Sequence, residues 1–207
     1  RTQHAISPAI FKKMIPACKR LNMKLTIEMH HPHHPDIPVW KEYFEIMRKE
    51  GKGILGFVPD FSIFQIMPHR LYLEQAVSFG CRPEKLEEII EIHKNSKDLD
   101  AVMQGDFNDI EKHTAEEMFS KFSAPADISQ IKDFIDCAFY IHGKFYYLDN
   151  DEHDPCIPYE AIIAEIRAAG YQGYIASEYE GHHFDETVDS EEQLRRFVAM
   201  NQKLLNK

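Results

Sequence analysis

The segment Thr26-Ile27-Glu28-Met29-His30-His31-Pro32-His33-His34-Pro35 sets a carboxylate near the end of an apolar run and places four imidazoles just beyond it. Withdrawing a carboxylate from water is costly unless it is paired or bound to a cation. Carboxylate and imidazole gathered at a strand end therefore suit divalent-metal binding or acid–base chemistry. A solvated His-rich turn would look the same in isolation, so three other places carry weight. Asp60 follows the apolar run 54–58, His142 lies in the run 138–145, and Glu178 follows the run 174–177. Each has an architectural alternative. Glu28 could pair with Lys24 or Lys52, Asp60 could cap the next helix, His142 could be a core histidine, and Glu178 could face water. Their recurrence in every unit favours a joint role, because three converging carboxylates repel one another unless a cation sits among them. Three carboxylates and one imidazole suit Mn²⁺ best, with Mg²⁺, Fe²⁺, Co²⁺ or Zn²⁺ as further options. No thiolate is offered for a structural zinc site.

These residues need a frame to hold them. Ser7-Pro8 is a helix start, and Ile10, Met14, Ile15 and Leu21 predict one apolar stripe through about residue 21, kinked at Pro16. A strand over Leu25–Met29 follows, then a Pro-rich loop at 32–38 and a helix over 40–50 that Gly51 ends. The second strand covers 54–58. Residues 62–135 contain no strand signal and predict helix at 83–95, 115–122 and 128–135, as a long helical insertion. A third strand at 138–145 precedes an Asp/Asn-rich turn. An amphipathic helix over 158–169 stops at Gly170. The fourth strand covers 174–177, and a closing helix covers 191–205 with Leu194, Phe197, Val198, Asn201, Leu204 and Leu205 at helical spacing. Strands alternating with helices imply βαβ units and a parallel sheet.

Composition narrows the function. At 207 residues the chain can bury a sizeable core. Its net charge of −10 argues against nucleic acid or an anionic membrane as the main partner. Four widely separated cysteines without a CxxC pair fit a reducing compartment and a cytoplasmic location. No apolar run approaches membrane-spanning length. The sequence opens on Arg1 without a signal-peptide pattern and enters a helix at once, as expected of a chain met in mid-fold.

The pattern Glu28, Asp60, His142, Glu178 resembles the second half of a xylose-isomerase-like TIM-barrel sugar isomerase or epimerase. In that superfamily Glu, Asp, His and Glu from strands 5 to 8 hold one divalent ion. The Glu-x-His of Glu28-Met29-His30 and the His-x-Lys of His142-Gly143-Lys144 also occur there. A narrower resemblance, to the catalytic alpha subunits of bacterial C-glycoside deglycosidases, is carried by four segments. They are His142-Gly143-Lys144-Phe145-Tyr146, Ile157-Pro158-Tyr159-Glu160, Gly170-Tyr171-Gln172-Gly173-Tyr174-Ile175 and Ser177-Glu178-Tyr179-Glu180-Gly181-His182. The spacings fit as well, with 32 residues from Glu28 to Asp60 and 36 from His142 to Glu178. The resemblance implies a (β/α)8 barrel of which residues 1–207 supply about strands 5–8 as a single α/β domain. Two departures stand out: Ile63 replaces a His found in many epimerases of the superfamily, and Leu148 replaces an Arg found in ketose epimerases.

The activity implied is metal-dependent cleavage of the carbon–carbon bond of 3-keto C-glycosides by proton abstraction and β-elimination. His30 is the expected base, because two residues after Glu28 it shares a strand side with it. A second role for His30, orienting Glu28, is the alternative. Lys144 shares a side with His142 and is expected to bond a substrate or enolate oxygen, or else to pair with Glu178 or Asp60. His182 is expected to protonate or line the pocket of the leaving aglycone, or to be a solvated loop residue. His31, His33 and His34 read as loop residues. The expected partners are a sugar or C-glycoside substrate and a beta subunit or other chain completing the assembly, with residues 62–135 as a docking surface. Isomerisation or epimerisation of a free or phosphorylated ketose starts with the same proton abstraction and is the alternative reaction. A non-catalytic partner subunit or metal-storing scaffold would need no such ligand set. Phosphodiester cleavage would need more His ligands and a less acidic chain.

Overall fold

A computed structural model describes residues 6–206. Ser7 Oγ accepts from the Ile10 N–H at 3.3 Å and starts α1 (Pro8–Lys13); α2 (Ile15–Arg20) follows after a break at Met14. The kink expected at Pro16 is thus a split into two short helices, because proline in the first turn of α2 has no N–H to give to α1. Of the expected stripe only Ile15 packs against the core. Ile10 and Leu21 are exposed, while Phe11 and Cys18 are buried and Phe11 packs edge-on against Tyr43 at 5.7 Å. Both stripes satisfy the helical period, which cannot tell which one has a core to meet.

β1 (Leu25–Met29) leads to α3 (Pro38–Lys49), whose Trp40, Tyr43, Phe44 and Met47 are buried, and then to β2 (Leu55–Pro59). Residues 62–135 contain no strand, as the sequence predicts, but hold more helix than expected. They form α4 (Arg70–Ser78), α5 (Pro83–Asn95), α6 (Leu99–Gln104), α7 (Asp109–Phe122) and the single turn α8 (Ile131–Phe134). α4 and α6, at 9 and 6 residues, are too short for their apolar residues to show a helical period. α7 is opened by a reciprocal capping box between Asn108 and Glu111. β3 (Ile141–Phe145), α9 (Tyr159–Ala168), β4 (Ile175–Tyr179) and α10 (Ser190–Leu205) complete the order. α9 buries Tyr159, Ile162, Ile163 and Ile166, and Gly170 follows at φ 71°, a left-handed position that glycine takes without strain. In α10 the buried residues are Gln193, Phe197, Met200 and Asn201, so Leu194 and Val198 lie at the edge of the face rather than in it.

The strands pair in parallel, β1 with β2 and β3 with β4, and isolated parallel bridges at Phe57–Ala138 and Asp60–His142 join β2 to β3. Among the described residues the four strands form an open arc and not a closed barrel. The register climbs along it: Glu28 sits opposite Val58, Asp60 opposite His142, and Lys144 opposite Glu178. That stagger belongs to strands tilted against a common axis. It explains why His142, only the second residue of β3, stands level with residues at the ends of β1 and β2.

Two apolar clusters form. The larger packs the outer side of the strands (Ile27, Met29, Phe57, Ile141, Phe145) under α3, α9 and α10. The other lies wholly within 76–122 and includes Leu86, Ile89, Val102, Met118 and Phe122. Each fully buried Leu, Ile or Phe in them contributes roughly 1.5–3 kcal/mol relative to its exposure. Gly143 sits where a Cβ would meet the Phe197 ring at 2.7 Å and Ile175 Cγ2 at 2.8 Å. Its missing side chain lets α10 press on β3 between His142 and Lys144.

Candidate metal centre

Alternation along β1 turns Ile27 and Met29 into the core and leaves Glu28 and His30 on the opposite side of the strand. β3 does the same with Phe145 inward and His142 and Lys144 on the other side. The climbing register then brings Glu28, Asp60, His142 and Glu178 together. One potential ligand atom from each lies within 4.8 Å of every other. Glu28, Asp60 and His142 are buried, and Glu178 is half-buried. Donors on opposite sides of a small divalent ion stand roughly 4–5 Å apart, given bonds of about 2.0–2.6 Å.

His142 Nδ1 lies 2.8 Å from Glu28 Oε1, 2.8 Å from Glu178 Oε2 and 3.9 Å from Asp60 Oδ2. Burial alone would lower its pKa, but the bonds to Glu178 and Glu28 outweigh that and raise it to about 9. Asp60 divides its work. Oδ1 accepts the Ser62 N–H at 2.7 Å and so caps the 3-10 turn Phe61–Phe64, while Oδ2 faces the cluster. The capping alternative and the cluster role therefore coexist in one side chain. Oδ2 is buried and accepts no hydrogen bond. Burial is the main reason the Asp60 pKa rises to about 7; Lys144 works against it and Glu178 with it. Burial also pushes Glu178 upward, but its bond to His142 and the charge of Lys144 prevail and hold it at about 2. A buried carboxylate oxygen without a donor, beside an imidazole and two more carboxylates, is the environment a hard divalent cation satisfies. The residues fit such an ion.

Lys144 Nζ is 2.6 Å from Glu180 Oε1 and 3.4 Å from both Asp60 Oδ2 and Glu178 Oε2. Burial would lower its pKa, yet Asp60 and Glu180 more than compensate and raise it, so Lys144 stays cationic. The alternative to a substrate contact, pairing with Asp60 and Glu178, is present. Glu180, the residue just after β4, joins this set without a separate sequence signal beyond its place two residues after Glu178. His30 Nδ1 lies 2.6 Å from the His31 carbonyl oxygen. A carbonyl only accepts, so in the neutral ring Nδ1 carries the proton and Nε2 the lone pair.

A cleft of about 390 Å³ opens over this centre. Glu28, His30, Lys144, Glu178 and Glu180 are its charged and titratable lining, Lys121 adds a cation next to Phe122, and His31, His69, Tyr72, Phe122, Tyr146 and Phe184 are its aromatic lining. His69, Tyr72 and Phe122 come from the helical insertion, where no sequence signal marked them. His182, expected at the aglycone, is instead exposed on the turn Gly181–His183 and does not line the cleft. The turn after β4 points the neighbouring Phe184 inward in its place. Ile63 and Leu148, where epimerases carry His and Arg, are both buried in the apolar core. His33 accepts the Trp40 indole N–H at 2.9 Å. All four cysteines are free and buried. No helix among the described residues is long and apolar enough to cross a membrane.

No family model matches the chain. Curated proteins do. A 3'-dehydrocarminate deglycosidase alpha subunit from Microbacterium sp is 27% identical over 232 aligned residues, covering 100% of this chain and 63% of that protein. The chain is similar to C-glycoside deglycosidase alpha subunits. Such a subunit from Arthrobacter globiformis is 22% identical over 88% of this chain and 54% of its own length. Another, from Microbacterium trichothecenolyticum, is 22% identical over 96% of this chain and 60% of its own length. The chain thus spans less than two thirds of these relatives.

Proposed function

We propose that this chain carries the catalytic metal centre of a C-glycoside deglycosidase, and that its substrate is a 3-keto C-glycoside. The observation that supports this most is the converging set Glu28, Asp60, His142 and Glu178 beneath a cleft with a charged and an aromatic lining, joined to the similarity with alpha subunits of that activity. Those four residues would hold one divalent ion, Mn²⁺ by preference. Bound there, the ion supplies Lewis-acid polarisation of a ketone oxygen.

The remaining work falls to side chains of this chain. A ketone acidifies the neighbouring C–H, and His30 Nε2 accepts the C2 proton, with the His31 carbonyl keeping the ring's other proton on Nδ1. Lys144, held cationic by Glu180, Glu178 and Asp60, offers a positive donor to oxygen that gains charge as the proton leaves. The C1–C bond to the aglycone then breaks as a C1=C2 double bond forms, and the aglycone carbon takes up one proton in exchange for the one lost from C2. His182 is exposed on the turn Gly181–His183 and is given no step here.

The staggered parallel register of β1 to β4 is what a (β/α)8 barrel requires of four of its strands. β4 leaves Ala176 and Ser177 exposed at the end of the arc. We read the arc as strands 5–8, with the other strands in sequence beyond these residues or in another chain, and with a beta subunit as partner.

The test offers 3-keto C-glycosides and simple ketoses to the complete assembly with Mn²⁺, before and after Glu178→Gln. Release of aglycone that Glu178→Gln abolishes is the expected result. Exchange between ketose isomers without aglycone release would assign an isomerase or epimerase instead.

A further inference from the structure

His69 is the residue the proposed reaction leaves without a task, and its surroundings are unusually specific. It directly precedes α4, and its Nδ1 accepts the Tyr72 N–H at 3.2 Å. Its ring stacks on Tyr146 with centroids 3.9 Å apart and planes 9° from parallel, and meets Phe184 edge-on at 4.4 Å. Only 4% of the residue is exposed, and that part faces the cleft it lines with Glu28, His30 and Lys144. An Nδ1 that accepts carries no proton, so the neutral ring carries its proton on Nε2. Burial keeps the ring neutral, lowering its pKa to about 3. Nε2 has no hydrogen-bond partner among the described residues. The result is a fixed N–H donor in an aromatic lining.

The neutral ring of His30, which lines the same cleft, carries its proton on the other nitrogen, Nδ1. One imidazole presents a lone pair and the other a proton. A donor that cannot accept selects an oxygen with lone pairs to give. Its aromatic neighbours favour a flat ring, whereas the charged lining of the cleft suits a sugar.

Building on the deglycosidase reading, we propose that His69 is a substrate-contacting donor whose Nε2–H bonds an oxygen on the aromatic aglycone beside the carbon that leaves. With the ring carbon first protonated in the keto tautomer of the neighbouring phenol, the electron pair of the breaking C1–C bond restores the aromatic ring, and the ortho or para oxygen carries the charge that the donor stabilises. That oxygen then regains a proton, matching the C2 proton given to His30, so no oxidant or reductant is consumed.

Two substitutions separate this role from helix capping. His69→Asn keeps an acceptor at the Nδ1 position, and asparagine is a favoured N-cap, but nothing remains at Nε2. His69→Gln restores an amide N–H near Nε2 and weakens the cap. In the complete assembly, His69→Asn should keep the wild-type melting temperature and KM while kcat for aglycone release falls by about 10–10²-fold. The fall should be smaller for an aglycone lacking the adjacent oxygen. His69→Gln should melt lower yet retain more kcat than His69→Asn. Full kcat in His69→Asn, with losses in His69→Gln that track its melting temperature, would show a cap only and overturn the proposal. A ¹⁵N spectrum of histidine-labelled protein with the His69 proton on Nδ1 would overturn it too. Wild-type protein that releases no aglycone sinks the deglycosidase reading and this role together, whereas wild-type release with His69→Asn unimpaired sinks this role alone.

Discussion

Glu111 and Asp60 are both buried carboxylates, and they are treated in opposite ways. Glu111, in the helical insertion, is fully enclosed and fully satisfied. Its oxygens accept from Arg82 Nε at 2.8 Å, Arg82 Nη2 at 2.9 Å, the Arg82 N–H at 3.0 Å and the Asn108 N–H at 2.7 Å. The Arg82 bond is the main cause that takes its pKa down to about 2. Asp60, at the strand rim, keeps one buried oxygen without a hydrogen bond, and its pKa goes up to about 7. A carboxylate buried to hold helices together brings its own donors. One whose second oxygen has no hydrogen bond and only the Lys144 ammonium at 3.4 Å beside it sits in a cluster that could bind a metal ion. The contrast separates architecture from chemistry better than burial or charge does alone.

The comparison can be broken most decisively at the rim. Glu178→Gln should cost more divalent-ion affinity than the roughly 10–100-fold typical of outer-sphere partners, measured by titration calorimetry with Mn²⁺. Unchanged affinity would remove the rim from the metal-site class. Next in size, Arg82→Met should destabilise the fold by about 2–4 kcal/mol, because it strands a buried charge. Asp60→Asn in chelator-treated protein should cost less than about 1 kcal/mol or stabilise, since it relieves carboxylate repulsion. Chemical denaturation of both variants checks the order, and equal losses would erase the distinction.

The smallest effect is in pH dependence. Glu111, lowered from 4.5 to about 2, contributes stability that is present above pH 4.5 and lost as pH falls toward 2. Asp60, raised from 3.8 to about 7, and His142, raised from 6.5 to about 9, act the other way. Their folded forms hold protons more firmly, so chelated protein should lose stability as pH rises from about 4 to 9. Divalent-ion binding must displace those protons and should therefore tighten over the same range. Melting curves against pH, with and without Mn²⁺, read both signs.

Much of the rim was legible beforehand. Glu28, Asp60, His142 and Glu178 were marked by ionisable residues recurring along apolar runs, and the structure places one atom of each near the others. Period-2 alternation and turn chemistry reached that far because they are local. They could not say which stripe of α1 and α2 faces inward, since Phe11 is chosen by Tyr43 on another element. Nor could they recover His69, whose meaning depends on Tyr146 and Phe184, far along the chain. His182 is exposed on the 3-10 turn Gly181–His183, as the solvated-loop alternative has it, and nothing local in the sequence chooses between that and the aglycone role. Closure into a barrel is likewise a property of pairings that four strands alone do not make.

Residues 76–122 of the helical insertion wrap their own apolar centre, separate from the cluster beneath the strands, and the insertion still lends His69, Tyr72 and Phe122 to the cleft. The lining is thus shared between two packing units, and on the proposed reading a remodelled 70–122 would reshape part of the aromatic lining without touching Glu28, Asp60, His142 or Glu178.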